Sequence, residues 1–262
     1  MTIYLQQLKQ YCDNTFSYIE DYTFNGLQVE GKNEIKKIVF SVSLSELLID
    51  EAIRRGADCI FVHHGFFGKS FTKIQGPLKR KLQKLLVNDI SLFAYHLPLD
   101  AHPILGHNAQ LCNMAQLQII KPLECGFICG NALNLTLSQI AEHINEHIPS
   151  KYAISQSGSG PLLPTHQFNA NIYKFGPEIP QKIFICSGGS GDYLDKAIRE
   201  QCDLFVLGEP KEHLIQAAQE EQLNLILLGH WRSEQPGIWA VMNDVAEKLG
   251  VQAEYIEIEN CV

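Results

Sequence analysis

Short apolar runs alternate with amphipathic helical patterns along almost the whole chain, and this alternation limits the fold more than any other feature. Residues 36–43 (KKIVFSVS) read as a strand and 45–56 as a helix. Ser45 is the expected N-cap, Leu48, Ile49, Ala52 and Ile53 form the apolar stripe, and Gly56 closes the helix. Residues 59–64 (CIFVHH) form the next strand. A helix over 77–90 is opened by Pro77 and faced by Leu78, Leu82, Leu85 and Leu86, and 92–96 (LFAYH) is a third strand. This βαβαβ rhythm implies a mostly parallel sheet with helices packed over it.

The rhythm returns after a middle segment. Strands are expected at 183–189 (IFICSGG), 204–209 (LFVLGE), 223–230 (LNLILLGH) and 252–258 (QAEYIEI), with helices at 191–202, 212–222 and 238–250 between them. Residues 138–148 read as a further helix, and 155–168, rich in Gly, Pro and Ser, as an irregular connection. The expectation is an α/β protein of two lobes, 1–124 and 125–262, each with a mostly parallel sheet. The two lobes could share an architecture.

Charge and cysteine usage narrow the function classes. With 21 Lys+Arg against 29 Asp+Glu the net charge is −8, which weighs against a nucleic-acid binder because phosphate neutralisation needs a basic surface. No stretch is apolar for long enough to span a membrane, and the polar start, MTIYLQQLKQYCDN, lacks a signal-peptide core. The 8 cysteines contain no CxxC pair. Several sit in apolar runs as small core residues, as expected of a reduced, cytoplasmic protein.

The histidines point to chemistry. Three apolar strands run straight into histidine: IFVHH, LFAYH and LILLGH. In a parallel α/β sheet, ligands bind beyond the carboxyl ends of the strands, so histidines delivered there converge on one crevice. His63 and His64 are neighbours, and within a regular strand only one could face a given site. Gly65 permits a turn that would let both reach it; an isolated pair would otherwise read as one buried and one exposed imidazole. His96 and Asp100 follow the next strand, adding a carboxylate beside the imidazoles. His230 and Glu234 are spaced to share one face of a helical turn. Together His63, His64, Asp100, His230 and Glu234 offer nitrogen and oxygen ligands with no cysteine, a set suited to two divalent ions. Glu209, also at a strand end, is a more distant candidate.

Four motifs in this order, NGLQVEG (25–31), GADCIFVHHGFFGK (56–69), HLPLDAHPILGHNAQL (96–111) and GHWRSE (229–234), closely resemble the Nif-three-like family, whose members are often catalogued as GTP cyclohydrolase 1 type 2 homologs. The resemblance covers essentially the whole chain. It implies a two-lobed α/β fold and a toroidal homohexamer. It also implies two metal ions per chain, held by His63, His64, Asp100, His230 and Glu234 with Glu234 as the bridge, in a site built from both lobes. His96, beside Asp100 in the matching motif, is implied as a residue that orients a ligand or relays a proton. The expected function is metal-dependent hydrolysis by a dinuclear centre. His and carboxylate ligands suit Zn, Mn, Fe, Co or Ni, the expected substrate is a small molecule such as a nucleotide, and the family label points to opening of the guanine ring of GTP at C8. The chain departs from relatives that read HTNLD and HHP at HLPLD and HHGFF, without loss of a ligand. It also has Glu212 where a histidine often precedes the equivalent of His213. A non-enzymatic metal-binding ring, scaffold or metal carrier is the competing class.

Other features read as structure. GGSGD (188–192) lacks the P-loop lysine and misses both GxGxxG and GxSxG, so it is a turn. His143 and His147 flank the apolar face of Ile140, Ile144 and Ile148 and read as a solvated helix surface. KRKLQK (79–84) reads as the outer face of its helix, and His102, His107 and His166 as loop residues.

Overall fold

The computed structural model describes residues 1–16, 19–66, 73–148, 170–258 and 260. The expected connection at 155–168, His166 and the end of the GADCIFVHHGFFGK motif lie outside the described residues. The chain divides into two compact units, Met1–Gly106 with Gly237–Ile258, and His107–Pro236 with Glu259–Val262. This differs from a division at 124/125: residues 107–124 belong to the second unit, and 237–258 return to the first.

The first unit opens with β1 (Ile3–Tyr4) and α1 (Leu5–Thr15), followed by β2 (Gly26–Val29), β3 (Glu34–Ile35) and β4 (Lys37–Ser43). α2 (Glu46–Arg54) starts where Ser45 Oγ accepts the Leu48 N–H at 3.0 Å, the expected cap. Then come β5 (Cys59–His64), α3 (Gly76–Val87), β6 (Ser91–Ala94) and the short α4 (Leu97–Asp100). Leu85 is buried on α3, with Leu78 and Leu82 packed beside it. Leu86 lies one step further round the helix and is 59% exposed, so it is not on the core face.

The second unit begins with α5 (His107–Met114), the hairpin of β7 (Gln118–Leu123) and β8 (Gly126–Gly130), α6 (Leu137–His147) and β9 (Asn171–Tyr173). β10 (Lys182–Cys186) leads through a 3₁₀ turn, Ser190–Tyr193, into α7 (Leu194–Arg199). β11 (Leu204–Leu207), α8 (Glu212–Glu220), β12 (Asn224–Leu227) and α9 (His230–Ser233) follow. α10 (Gln235–Leu249) then carries the chain back to the first unit, where β13 (Gln252–Tyr255) pairs in parallel with β4.

The first unit's main sheet has the order β13-β4-β5-β6-β2, parallel except for β2, which runs against β6. The second unit's sheet, β7-β8-β10-β11-β12-β9, is mixed: β10, β11 and β12 are parallel, and antiparallel strands flank them. The α/β class is as expected. The first sheet is mostly parallel; the second has a parallel centre only.

Both parallel centres are built alike. Asp58 accepts the Lys36 and Lys37 amides at 2.6 and 3.0 Å, and Asp203 accepts those of Gln181 and Lys182 at 2.7 and 3.0 Å. In each unit the aspartate's own carbonyl takes the first amide of the next strand, Ser91 in one and Asn224 in the other, both at 3.1 Å. Tyr95 N–H donates to Val62 O in the first unit, and Leu228 N–H donates to Leu207 O in the second. The βαβαβ ladder is therefore repeated in register. Beneath it, β5 buries Ile60 and Val62 on one face and Phe61 on the other, where Phe61 packs on Phe40 and Tyr95. A strand covered on both faces must be apolar throughout, which is why its first polar side chains are the terminal histidines.

Candidate metal centre

In the first unit, His63 and His64 are both still within β5, yet their ring centroids lie only 4.4 Å apart. Each is tethered toward a different neighbouring strand. His63 Nδ1 donates to the Tyr95 carbonyl at 2.9 Å, just past β6, while His64 Nδ1 lies 3.0 Å from Ser43 Oγ at the end of β4. Ser43 and His64 are register partners. The strand end thus brings both imidazoles to one place while both residues are still within β5.

His96 completes the group. It caps α4, and its Nδ1–H donates to Asp21 at 3.1 Å, while the Tyr22 hydroxyl lies 3.3 Å from Nε2. Its backbone amide donates to Asn25 Oδ1 at 2.7 Å. Asp21 also receives Asn25 Nδ2 at 3.0 Å and the Leu97 amide at 3.0 Å. Burial alone would raise the Asp21 carboxyl, but the hydrogen bonds from Asn25, His96 and Leu97 outweigh it and hold the pKa below the usual carboxylate value. Asp100, at the end of α4, places Oδ2 3.6 Å from His63 Nε2. The ligand atoms of His63, His64 and His96 lie within 4.8 Å of one another, so this group could hold a metal ion.

The second unit holds His230 and Glu234. β12 ends before Gly229, whose φ of 85° needs a glycine to turn the chain into α9. His230 Nε2 then lies 3.2 Å from Glu234 Oε1, as the spacing of the two predicted. His230 Nδ1 lies 3.0 Å from Glu209 Oε1. Hydrogen bonding to Glu234, with a further contribution from Glu209, overcomes burial and pushes the His230 pKa up to about 9. Without a metal, the pair of carboxylates stabilises a positive charge at this position.

Sequence reasoning identified His63, His64, His96, Asp100, His230 and Glu234, and the structure groups the first four within one unit and the last two within the other. It did not identify Asp21, Tyr22 or Ser43. Asn25 was visible only as part of NGLQVEG, without a role. His102 accepts the Ile104 and Leu105 amides and His147 Nδ1 donates to the His143 carbonyl, both consistent with structural duties. His107 is not a loop residue: it is fully buried as the first residue of α5. His213 lies near the start of α8. Among the described residues no helix is long and apolar enough to cross a membrane.

The profile of the Duf34/NIF3 (NGG1p interacting factor 3) family matches residues 4–261. A Haemophilus influenzae protein named GTP cyclohydrolase 1 type 2 homolog is 40% identical over 248 residues, covering 92% of each chain. An Escherichia coli K12 protein of the same name is 37% identical over 243 residues, again covering 92% of each. A solved structure described as "protein ybgI, unknown function" superposes with a TM-score of 0.86 at 32% identity, covering 99% of this chain and 100% of that one. With the family profile spanning nearly its full length, this chain belongs to the Duf34/NIF3 family.

Proposed function

We propose that this protein is a metal-dependent hydrolase that uses two divalent ions held by His63, His64, Asp100, His230 and Glu234. The observation that carries the proposal is the anchoring of the imidazoles. His63, His64, His96 and His230 each engage a hydrogen-bond partner through Nδ1, the arrangement that metal-binding histidines use to fix their orientation. The donor set also fits a dication. It consists of imidazoles and carboxylates, and at His230 two carboxylates flank the ring, Glu209 3.0 Å from Nδ1 and Glu234 3.2 Å from Nε2.

Two divalent ions, when bound, would lower the pKa of water and stabilise charge that develops on a substrate. Glu234, with two carboxylate oxygens, would serve as the bridging ligand. His96, held by Asp21, would orient a reactant or carry a proton at Nε2. The nitrogen and oxygen donors suit Zn, Mn, Fe, Co or Ni. The substrate of this proposal is a small nucleotide, with GTP the first to test because related proteins carry the name GTP cyclohydrolase 1 type 2 homolog. The same reading places the protein in the cytoplasm as a homohexameric ring and gives nucleic acid no part in its action, in keeping with a net charge of −8.

The test is a screen of nucleotides against protein loaded in turn with each of these metals, with Glu234→Gln as the paired variant. Metal-dependent hydrolysis that Glu234→Gln abolishes while the fold persists is the expected result. Metal binding without turnover of any nucleotide would replace the hydrolase reading with that of a metal-binding scaffold or carrier.

A further inference from the structure

We infer that Glu209 is a positioning residue for the metal site: it takes the Nδ1–H of His230 and thereby presents Nε2 to the ion. The inference rests on the reading of His230 as a metal ligand.

The repeated ladder shows why the fold delivers a side chain here. Val62 in the first unit and Leu207 in the second occupy equivalent places, since each accepts the amide just beyond the next strand, from Tyr95 and Leu228 respectively. Two residues past Val62 is His64, and two residues past Leu207 is Glu209. Glu209 therefore stands where the first unit puts an imidazole. Its amide donates to Gly188 O at 3.1 Å, which fixes the backbone at that point.

The surroundings are shaped around the Glu209–His230 contact. A Cβ at Gly189 would lie 3.4 Å from His230 Cε1 and 3.5 Å from Glu209 Oε1, in direct contact with both partners. A Cβ at Gly208 would collide with the Gly188 backbone, and one at Gly188 would collide with Glu234 Oε1. The Gly188 amide donates to Ser233 Oγ at 2.9 Å, and the Ser233 hydroxyl donates to the His230 carbonyl at 2.7 Å, so the α9 turn that carries the ligand is itself pinned. The glycines let two strand ends close on His230, and Glu209 contacts Nδ1 of its ring.

The chemistry favours positioning over simple stabilisation. The Glu209 side chain retains 38% of its exposure, so it fills no core space, and an ion pair this open contributes little to folding. An imidazole that ligates through Nε2 must keep its proton on Nδ1, and a carboxylate acceptor both selects that tautomer and makes Nε2 more basic.

The test measures Zn²⁺ affinity of the full chain by chelator competition, for wild type, Glu209→Ala, Glu209→Gln and His230→Ala, beside the thermal midpoint of each metal-free protein. His230→Ala should lose a binding step. At that step Glu209→Ala should bind about tenfold to a hundredfold more weakly. Glu209→Gln should recover most of the loss, because its amide oxygen still accepts the Nδ1–H, and the metal-free midpoints should stay close to wild type. Wild-type affinity in Glu209→Ala, where His230→Ala has lost the step, would overturn the inference. So would a Gln variant as weak as the Ala variant, since that would make Glu209 a ligand or a bare charge. Unchanged affinity in His230→Ala would instead refute the ligand reading of His230.

Discussion

In the first unit Asp58 ties the Lys36 and Lys37 amides to the start of the sheet, and in the second Asp203 ties those of Gln181 and Lys182 in the same way. From this common edge the strands run in matching register, but they finish with different residues. The first unit ends its strands in side chains that reach out, Ser43, His63, His64 and His96. The second ends the corresponding strands in Gly188, Gly208 and Gly229, with Glu209 beside them, and carries His230 and Glu234 one helical turn later. One ladder therefore supports two ways of presenting candidate ligand side chains: directly from the strands, or from a short helix packed onto strand ends stripped to glycine. The shared part is a matter of backbone hydrogen bonding. The difference lies in how much room the strand ends leave.

Giving the second unit a side chain where the first has one should have the largest effect. Gly208 corresponds to His63, but a Cβ there meets the Gly188 backbone and Ser233 Oγ. Gly208→Ala should cost about 3 kcal/mol, the upper part of the range for overpacking, because backbone cannot move aside as a flexible side chain can. Urea denaturation reads this as a lowered midpoint. An alanine variant as stable as wild type would show that the glycine packing is not required.

The shared edge predicts smaller, graded effects. Asp58 is 5% exposed, accepts two backbone amides and pairs with Lys32, so Asp58→Ala should cost about 2 kcal/mol by stranding those donors. Asp203 is half-buried, and Asp203→Ala should cost about 1 kcal/mol, since water can replace the lost acceptor. Equal losses, or a larger loss at Asp203, would contradict the ranking by burial. The Asp58 contribution also depends on pH. Burial would raise its carboxyl, but Lys32 and the Lys36 and Lys37 amides hold it below the usual value. A carboxyl lowered in the folded state stabilises above its unfolded pKa, and that stability is lost as pH falls through the folded value. The gap between wild type and Asp58→Ala should therefore narrow in acid.

What the sequence made legible follows from burial. β5, β11 and β12 are covered on both faces, so they appear as uninterrupted apolar runs whose ends are marked by the first polar residue, and His63, His64, Glu209 and His230 stand at or just beyond those ends. The β7–β8 hairpin went unseen because β7 contains Lys121 and Pro122 and is largely exposed, which leaves no periodic signal. β2 lay within the NGLQVEG motif but is only four residues long. Asp21 and Ser43 work through partners far along the chain, His96 and His64, and a carboxylate in a loop or a serine at a strand end is unremarkable until the fold brings it to its imidazole. Glu209 was visible as a strand terminus; its contact with His230 was not.

The proposed function requires that His63, His64, Asp100, His230 and Glu234 hold two metal ions in each chain. The direct measurement is metal content by plasma mass spectrometry on protein purified without chelator or affinity metal, for wild type, His64→Ala and Glu234→Gln. Wild type should carry close to two transition-metal equivalents per chain, and both variants fewer. No bound metal in wild type, unchanged on adding Zn, Mn or Fe, would contradict it.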